Sequence, residues 1–253
     1  MTAYRGGNRV VLEMEAEVAG PLHIPRLAAP LRSAFWEPNA AGSQTGEPIQ
    51  VKPEPDYWVV SWASRPGERA RMVIEFDAPP RLLDELEPVV AVADGSLMLP
   101  AHLARTFGEK LRYEPQPFKN TVGYWVVPTD RAQWSFVVDR PGEFNVAILS
   151  GCGAVPGGRS AAMAFVRSTP GTPPSVPSKI DNGGLDRTTQ DELEFEVHET
   201  GHFQNFQWRH LGTIRLDAGT YTLVVHPKRI ANKALMDVRM IHLVRLPAAP
   251  PRR

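Results

Sequence analysis

The sequence predicts an all-β protein: an antiparallel β-sandwich of the jelly-roll type over residues 86–246, preceded by a β-rich region at 1–85 and followed by a Pro/Arg tail at 247–253. Three observations carry this. Apolar and polar residues alternate at period two through the second half. The 25 prolines and 20 glycines, close to a fifth of the chain, punctuate it too often for long helices. Turn residues recur between the short apolar runs, as half-buried strands require. With 253 residues, 42% of them hydrophobic, the chain can bury one large core or two ordinary ones.

In chain order, the first strand candidates are residues 9–17, 56–63 and 71–76, with a Gly/Pro-rich loop at 40–55. Pro79-Pro80 and the segment 81–87 read as a boundary carrying one helical turn. The tetrapeptide Tyr-Trp-Val-Val occurs at 57–60 and again at 124–127, a candidate trace of duplication. Beyond it, Trp134, Phe136 and Val138 share one strand face, and Phe144, Val146 and Ile148 another. The same pattern returns in Leu193, Phe195 and Val197, then in Tyr221, Leu223 and Val225. Asp139-Arg140-Pro141-Gly142 and Asp217-Ala218-Gly219 sit between runs at hairpin-like spacing. Residues 168–191 are polar, rich in Pro and Gly and aperiodic, and read as a long surface loop.

Charge and cysteine content exclude several classes. Lys+Arg and Asp+Glu balance at 28 each with no block of one sign, so a nucleic-acid partner is not expected. The one basic cluster, Lys228 and Arg229 with Lys233, reads as a solvated loop. A single cysteine, Cys152, leaves no disulfide framework and no multi-cysteine zinc site. The segment 1–18 has no uninterrupted apolar core of a signal peptide, so the cytoplasm is the weak expectation, and no run is long enough to span a membrane.

The literal H-E-x-x-H at His198-Glu199-Thr200-Gly201-His202 serves zinc proteases only on a helix, where both imidazoles share a face. Here residues 192–197 alternate as a strand. Histidines four apart on a strand lie ~13 Å from each other, too far to share one zinc at bonds of ~2 Å. No G-x-S-x-G elbow and no phosphate loop occur, and Cys152, between two glycines, reads as a buried structural thiol. The expectation is therefore a non-catalytic protein.

Residues of binding character are aromatic and amide groups near turns: Tyr124, Trp125, Phe203, Gln204, Asn205 and Phe206. A pyranose needs a flat aromatic face and polar groups on its hydroxyls, and this set has both. On a strand, however, Phe203 and Asn205 face one way and Gln204 and Phe206 the other, which places at least one phenylalanine in the core.

These residues fall within a wider pattern: residues 94–101, Leu111-Arg112-Tyr113-Glu114, residues 120–125, Gly151-Cys152-Gly153 with Gly157-Gly158, residues 199–206, Leu211-Gly212-Thr213 and Met236-Asp237-Val238-Arg239. In this order and spacing the stretch 89–246 resembles the accessory β-sandwich at the C-terminus of some bacterial α-L-fucosidases and sulfatases, modules similar to galactose-binding-type jelly rolls and carbohydrate-binding modules. The resemblance implies a ligand cleft on the loops around Tyr124-Trp125, residues 203–206 and Asn232-Lys233. Modules of that kind often hold a structural calcium through glutamates of the first strand. The segment here reads Leu99-Pro100-Ala101-His102, without the oxygen ligands a hard cation needs, so no cofactor is expected. Such modules are often exported.

Two functions lead at this point, with a hydrolase of unrecognised mechanism as the minority alternative. One is a carbohydrate-binding module whose partner is a glycan. The other is a structural subunit that docks on a protein partner, with the loop at 168–191 and the Pro-rich extensions as arms.

Overall fold

The computed structural model describes residues 1–15, 20–38, 49–64, 67, 69–153, 158–167, 189–231 and 234–247. Asn232, Lys233, most of the loop expected at 168–191 and most of the tail lie outside the described residues. The chain divides into two compact units: Met1–Leu86 with Arg112–Asn120, and Glu87–Leu111 with Thr121–Arg253. The segment Arg112–Asn120 thus belongs with the first unit, although it lies within the stretch read as the sandwich.

The first unit is built from β1 (Thr2–Gly6), β2 (Arg9–Met14), β3 (Leu22–Pro25), β4 (Leu31–Trp36), β5 (Gln50–Pro53), β6 (Tyr57–Ser61) and β7 (Ala70–Phe76), with a single 3₁₀ turn at Leu83–Glu85. They form two antiparallel sheets, ordered β1-β2-β7-β4 and β3-β6-β5. Alternation sets the faces: on β7 Met72, Ile74 and Phe76 are buried, and Phe76 stacks on the fully buried Trp58 of β6 with ring centroids 6.1 Å apart. β11 (Arg112–Glu114) returns to this unit, where the Arg26 guanidinium lies 4.9 Å from the ring centroid of buried Tyr113. β5 corrects the reading of 40–55 as loop throughout: four residues alternating exposed and buried suffice for an edge strand but fall below the length a periodicity test needs.

In the second unit, β8 (Val89–Val90), β9 (Leu97–Pro100), β10 (Arg105–Phe107) and β12 (Thr121–Gly123) are short. The long strands are β13 (Arg131–Val138), β14 (Gly142–Gly151), β15 (Ser160–Arg167), β16 (Thr189–Glu196), β17 (Gln207–Leu216), β18 (Gly219–Arg229) and β19 (Asp237–Arg245). One sheet runs β10-β13-β18-β15-β16, with β8 also on β13; the other runs β12-β19-β14-β17, with β9 on β19. The chain changes sheet between β13 and β14, β14 and β15, β16 and β17, β17 and β18, and β18 and β19, the connectivity of a sandwich rather than a meander. The turn at 139–142 therefore joins the two sheets and does not close a hairpin, because its flanking strands pair elsewhere. β16 begins at Thr189, so the aperiodic segment ends before 191 and its last residues pair with β15.

The core lies where the alternation places it. Trp134, Phe136 and Val138 face Phe144, Val146 and Ile148 across the sandwich, none more than 2% exposed, with Tyr221, Leu223 and Val225 fully buried beside them. Leu193 and Phe195 are only half-buried because β16 is an edge strand. Buried Asp130 secures the start of β13: its carboxylate accepts backbone N–H groups of Glu109, Lys110 and Leu111 at 2.7, 3.1 and 2.8 Å. A Cβ on Gly108, at φ +117°, would lie 2.0 Å from Asp130 Oδ1, so only glycine fits there. The Tyr-Trp-Val-Val repeat has no structural counterpart. It is strand at 57–60 and turn at 124–127, where the Val126 N–H donates to the Tyr124 carbonyl at 2.9 Å.

Candidate functional site: the loop end and an aromatic sheet face

At one end of the second unit, the segment after β16 folds back over the end of β14. The Thr200 N–H donates to the Cys152 carbonyl at 3.0 Å, the Cys152 N–H donates to the Thr200 hydroxyl at 2.9 Å, and Gly153 bridges Gly201. Gly201, at φ +85°, turns the chain out of any helix, so His198 and His202 never share a helical face. His202 Nδ1 instead accepts the Gln204 N–H at 3.2 Å. A Cβ on Gly151 would lie 2.0 Å from the Phe203 carbonyl oxygen, and one on Gly153 would lie 2.8 Å from the Phe203 ring. Both glycines are there to let this loop close. Among the described residues no three His, Cys, Asp or Glu side chains converge on a metal-sized site.

Beneath the loop, Cys152 is 1% exposed, and burial pushes its thiol above the usual range, with Arg159 opposing the shift. Arg159 Nη1 lies 2.9 Å from the sulfur and 3.4 Å from the Gly153 carbonyl. This is a structural thiol.

The residues expected to bind divide sharply. Trp125 is fully buried and donates its indole N–H to the Val122 carbonyl at 3.0 Å, so its ring offers no face to a ligand. The turn that buries it leaves Tyr124 at φ +65° and 42% exposed. The polar groups are engaged within the loop: Asn205 Nδ2 donates to the Thr200 carbonyl at 2.5 Å and Gln204 Nε2 to Asp237 Oδ2 at 3.5 Å. Phe203 lies half-buried against Gly153. Phe206 is covered by Arg239, whose guanidinium carbon stands 3.8 Å from the ring centroid. The loop set therefore closes the end of the sandwich, with Tyr124 as its one outward aromatic group.

The exposed aromatic face lies one strand further on. β17 pairs with β14, and the register shifts between Val146 and Ala147, where Leu211 is the extra residue. Trp208, His210, Ile214 and Leu216 have the same parity and would share one face of a regular strand. The bulge divides them: Ile214 and Leu216 stay buried, while Trp208 and His210 turn outward. Trp208 sits opposite Leu149 and His210 opposite Ala147; from β19, His242 sits opposite Ala147 on its other side. Trp208 is 49% exposed, with its ring centroid 6.1 Å from that of His242. Ala147 keeps the floor between the two imidazole-bearing strands low. A flat indole flanked by two imidazoles on a rigid sheet can stack a sugar ring and hydrogen-bond its hydroxyls.

Toward the other end of the same strands, Asp94, Arg140, Glu143, Arg215 and Arg245 surround an open cleft of about 740 Å³. Arg245 is engaged, donating to the Arg140 carbonyl at 3.0 Å and to the Pro141 carbonyl. Arg215 pairs with Glu143 across the two strands, and its side chain enters no hydrogen bond or ion pair among the described residues.

No protein-family profile matches the chain, and no curated protein does. Among solved structures, the chain is similar to the GH26-CBM35 β-(1,4)-mannanase of Podospora anserina, at 16% identity over 62% of this chain and 29% of that one, with a TM-score of 0.41. It is similar to an α-L-fucosidase of a Vibrio strain, at 11% identity over 94% of this chain and 38% of the other, with a TM-score of 0.35. A family 35 carbohydrate-binding module of Clostridium thermocellum aligns at 12% identity over 58% of this chain and 96% of the module, with a TM-score of 0.37. The chain thus spans well under half the length of the two enzymes. At these identities the comparisons bear on fold alone, and function is argued from the residues of the site.

Proposed function

We propose that the second unit is a non-catalytic glycan-binding module whose site is the sheet face around Trp208. The observation that carries this reading is the bulge at Leu211, which turns Trp208 out of the core parity and sets it, 49% exposed, beside His242 over a low floor. An exposed indole on a rigid strand has no role in the core, and its geometry suits the apolar face of a pyranose. The ancestry implied by the resemblance to accessory sandwiches of fucosidases and sulfatases is part of the same proposal. So is Tyr124, as an outlying contact at the loop end. Calorimetric titration of the full chain against an array of neutral and fucosylated oligosaccharides tests it. Millimolar or tighter binding that Trp208→Ala weakens supports the reading, and no binding to any member defeats it.

A second reading has one observation in its favour. β1 is exposed along its whole length and, among the described residues, pairs only with β2, leaving on that count an open strand edge of the kind partners extend. As a docking subunit, the protein would run above its own mass in native extract by mass photometry. A lone monomer there rules this reading out.

A further inference from the structure

The Trp208 indole is one corner of a longer apolar surface. We infer that this surface binds internal segments of extended, unbranched glycan chains, with about three rings laid across the strands from Trp208 toward Met98; this rests on the Trp208 face being the glycan site.

The strand register sets out two cross-strand rows. In the first, Trp208 of β17 stands opposite Leu149 of β14, Leu149 opposite Met240 of β19, and Met240 opposite Pro100 of β9. In the second, two residues along each strand, His210 stands opposite Ala147, Ala147 opposite His242, and His242 opposite Met98. These side chains turn outward, while the intervening Ile148, Ile241 and Leu99 are buried in the core. Neither row holds an Asp, Glu, Lys or Arg. Trp208 and Met98, at opposite corners, are 49% and 45% exposed.

Along the strands this apolar surface is short. Past the second row come Thr213, Asn145 and Val244, and then Arg215 paired with Glu143. Past the first row, the loop carrying Glu199 folds over the end of β14. Asp94 acts electrostatically on His242 from the β8–β9 turn, so the charged groups frame the rows and do not sit in them. The two rows lie about 7 Å apart, whereas the four strands carry them across about 14 Å. The long axis of the surface therefore crosses the strands.

Both ends of that axis are open. Among the described residues β17 pairs only with β14, and β9 only with β19, so each row runs from one sheet edge to the other. A terminal sugar is selected by walls that enclose it. A platform open at both edges instead lets a chain continue past it in either direction. A pyranose with its linking oxygen covers about one strand spacing, so three spacings accommodate about three rings. The indole and the Met98 thioether offer apolar contact at the two ends, and the imidazoles between them reach hydroxyl groups. Extended chains keep successive rings in line with such rows, whereas coiled chains carry them away. A protein partner fits the surface poorly: four strands by two rows cover on the order of 250 Å², about a third of the ~800 Å² a side that a stable interface takes.

The test is calorimetric titration of the full chain with β-(1,4)-linked gluco-, manno- and xylo-oligosaccharides of up to six units, beside an α-(1,4)-linked gluco series, whose chains coil. In at least one β-linked series, affinity should rise about threefold per added ring from the disaccharide and level off at the tetrasaccharide, where the platform ends. Met98→Ala should weaken the tetrasaccharide about threefold and leave the disaccharide, held at Trp208, unchanged. Trp208→Ala should weaken both. The length profile of the parent protein carries the test whatever the variants do to stability. Affinity that is flat beyond one ring, preference for the α-linked series, or a Met98→Ala loss that is absent or equal at both lengths overturns the inference and leaves the glycan reading standing. Binding on the oligosaccharide array by ligands outside these series alone does the same. No binding by any series or any array member removes the glycan reading, and this inference with it.

Discussion

Replacing Trp208 with alanine separates ligand binding from folding, and its two magnitudes follow from exposure. A tryptophan side chain offers about 150–250 Å² to burial. With 49% of the residue exposed, about 100 Å² is open to a ligand. A sugar ring stacked on one side covers roughly half of that, worth about 1.2 kcal/mol at ~25 cal/mol per Å². The expected loss in affinity is therefore close to eightfold. Stability should fall by only about 1 kcal/mol, because the covered half rests on neighbouring side chains of an open face rather than inside a core. Trp125→Ala is the contrast: fully buried and hydrogen-bonded to Val122, it should cost about 3–5 kcal/mol. Urea unfolding gives the stabilities, and calorimetry with the tightest oligosaccharide of an array gives the affinities. Trp208→Ala that folds normally and binds within twofold of the parent would refute the reasoning, since a stacking platform cannot lose its ring without effect.

Other consequences concern the scaffold. Asp130→Ala removes the acceptor of three backbone N–H groups and should lower stability by about 3 kcal/mol or more in urea unfolding, with Asp130→Asn closer to the parent. Gly151→Ala would force the loop away from a contact 2.0 Å from the Phe203 carbonyl, at a cost of about 1–3 kcal/mol; an unchanged urea midpoint would show the loop to be placed differently. Burial also holds the His226 imidazole below its usual range, centred at 6.5. The unfolded chain then binds the extra proton first, so this contribution is intact above about pH 6.5 and is lost as pH falls below it. His226→Gln should flatten stability against pH between about 6.5 and 5 relative to the parent, and parallel profiles would contradict the assignment.

How far the fold was legible depended on strand length and regularity. β13, β14 and β18 carry three inward apolar residues each at unbroken period two, and their faces are where the alternation puts them. β3 and β5, at four residues, and the wholly exposed β1 carry too little pattern to be read. The site was hidden for a different reason. Trp208 shares parity with Ile214 and Leu216, so period two alone assigns it to the core; only the extra residue Leu211 before Gly212 turns it outward, and a bulge leaves little trace in one sequence. Gly212, in the run Leu211-Gly212-Thr213, was the available signal, since a glycine inside a strand often marks a bulge. Trp125 failed in the opposite direction. Its place beside Tyr124 near a turn suggested exposure, yet Trp125 is fully buried while Tyr124, at positive φ, is the exposed one.

The most direct test of the glycan-binding claim is amide chemical-shift mapping of the full chain during titration with an array-selected oligosaccharide. The Trp208 site predicts shifts concentrated at residues 207–212, 145–149 and 240–244, with the Trp208 indole N–H among the largest. Shifts confined to 199–206 and Tyr124, or no shifts with any oligosaccharide at millimolar concentration, would contradict it.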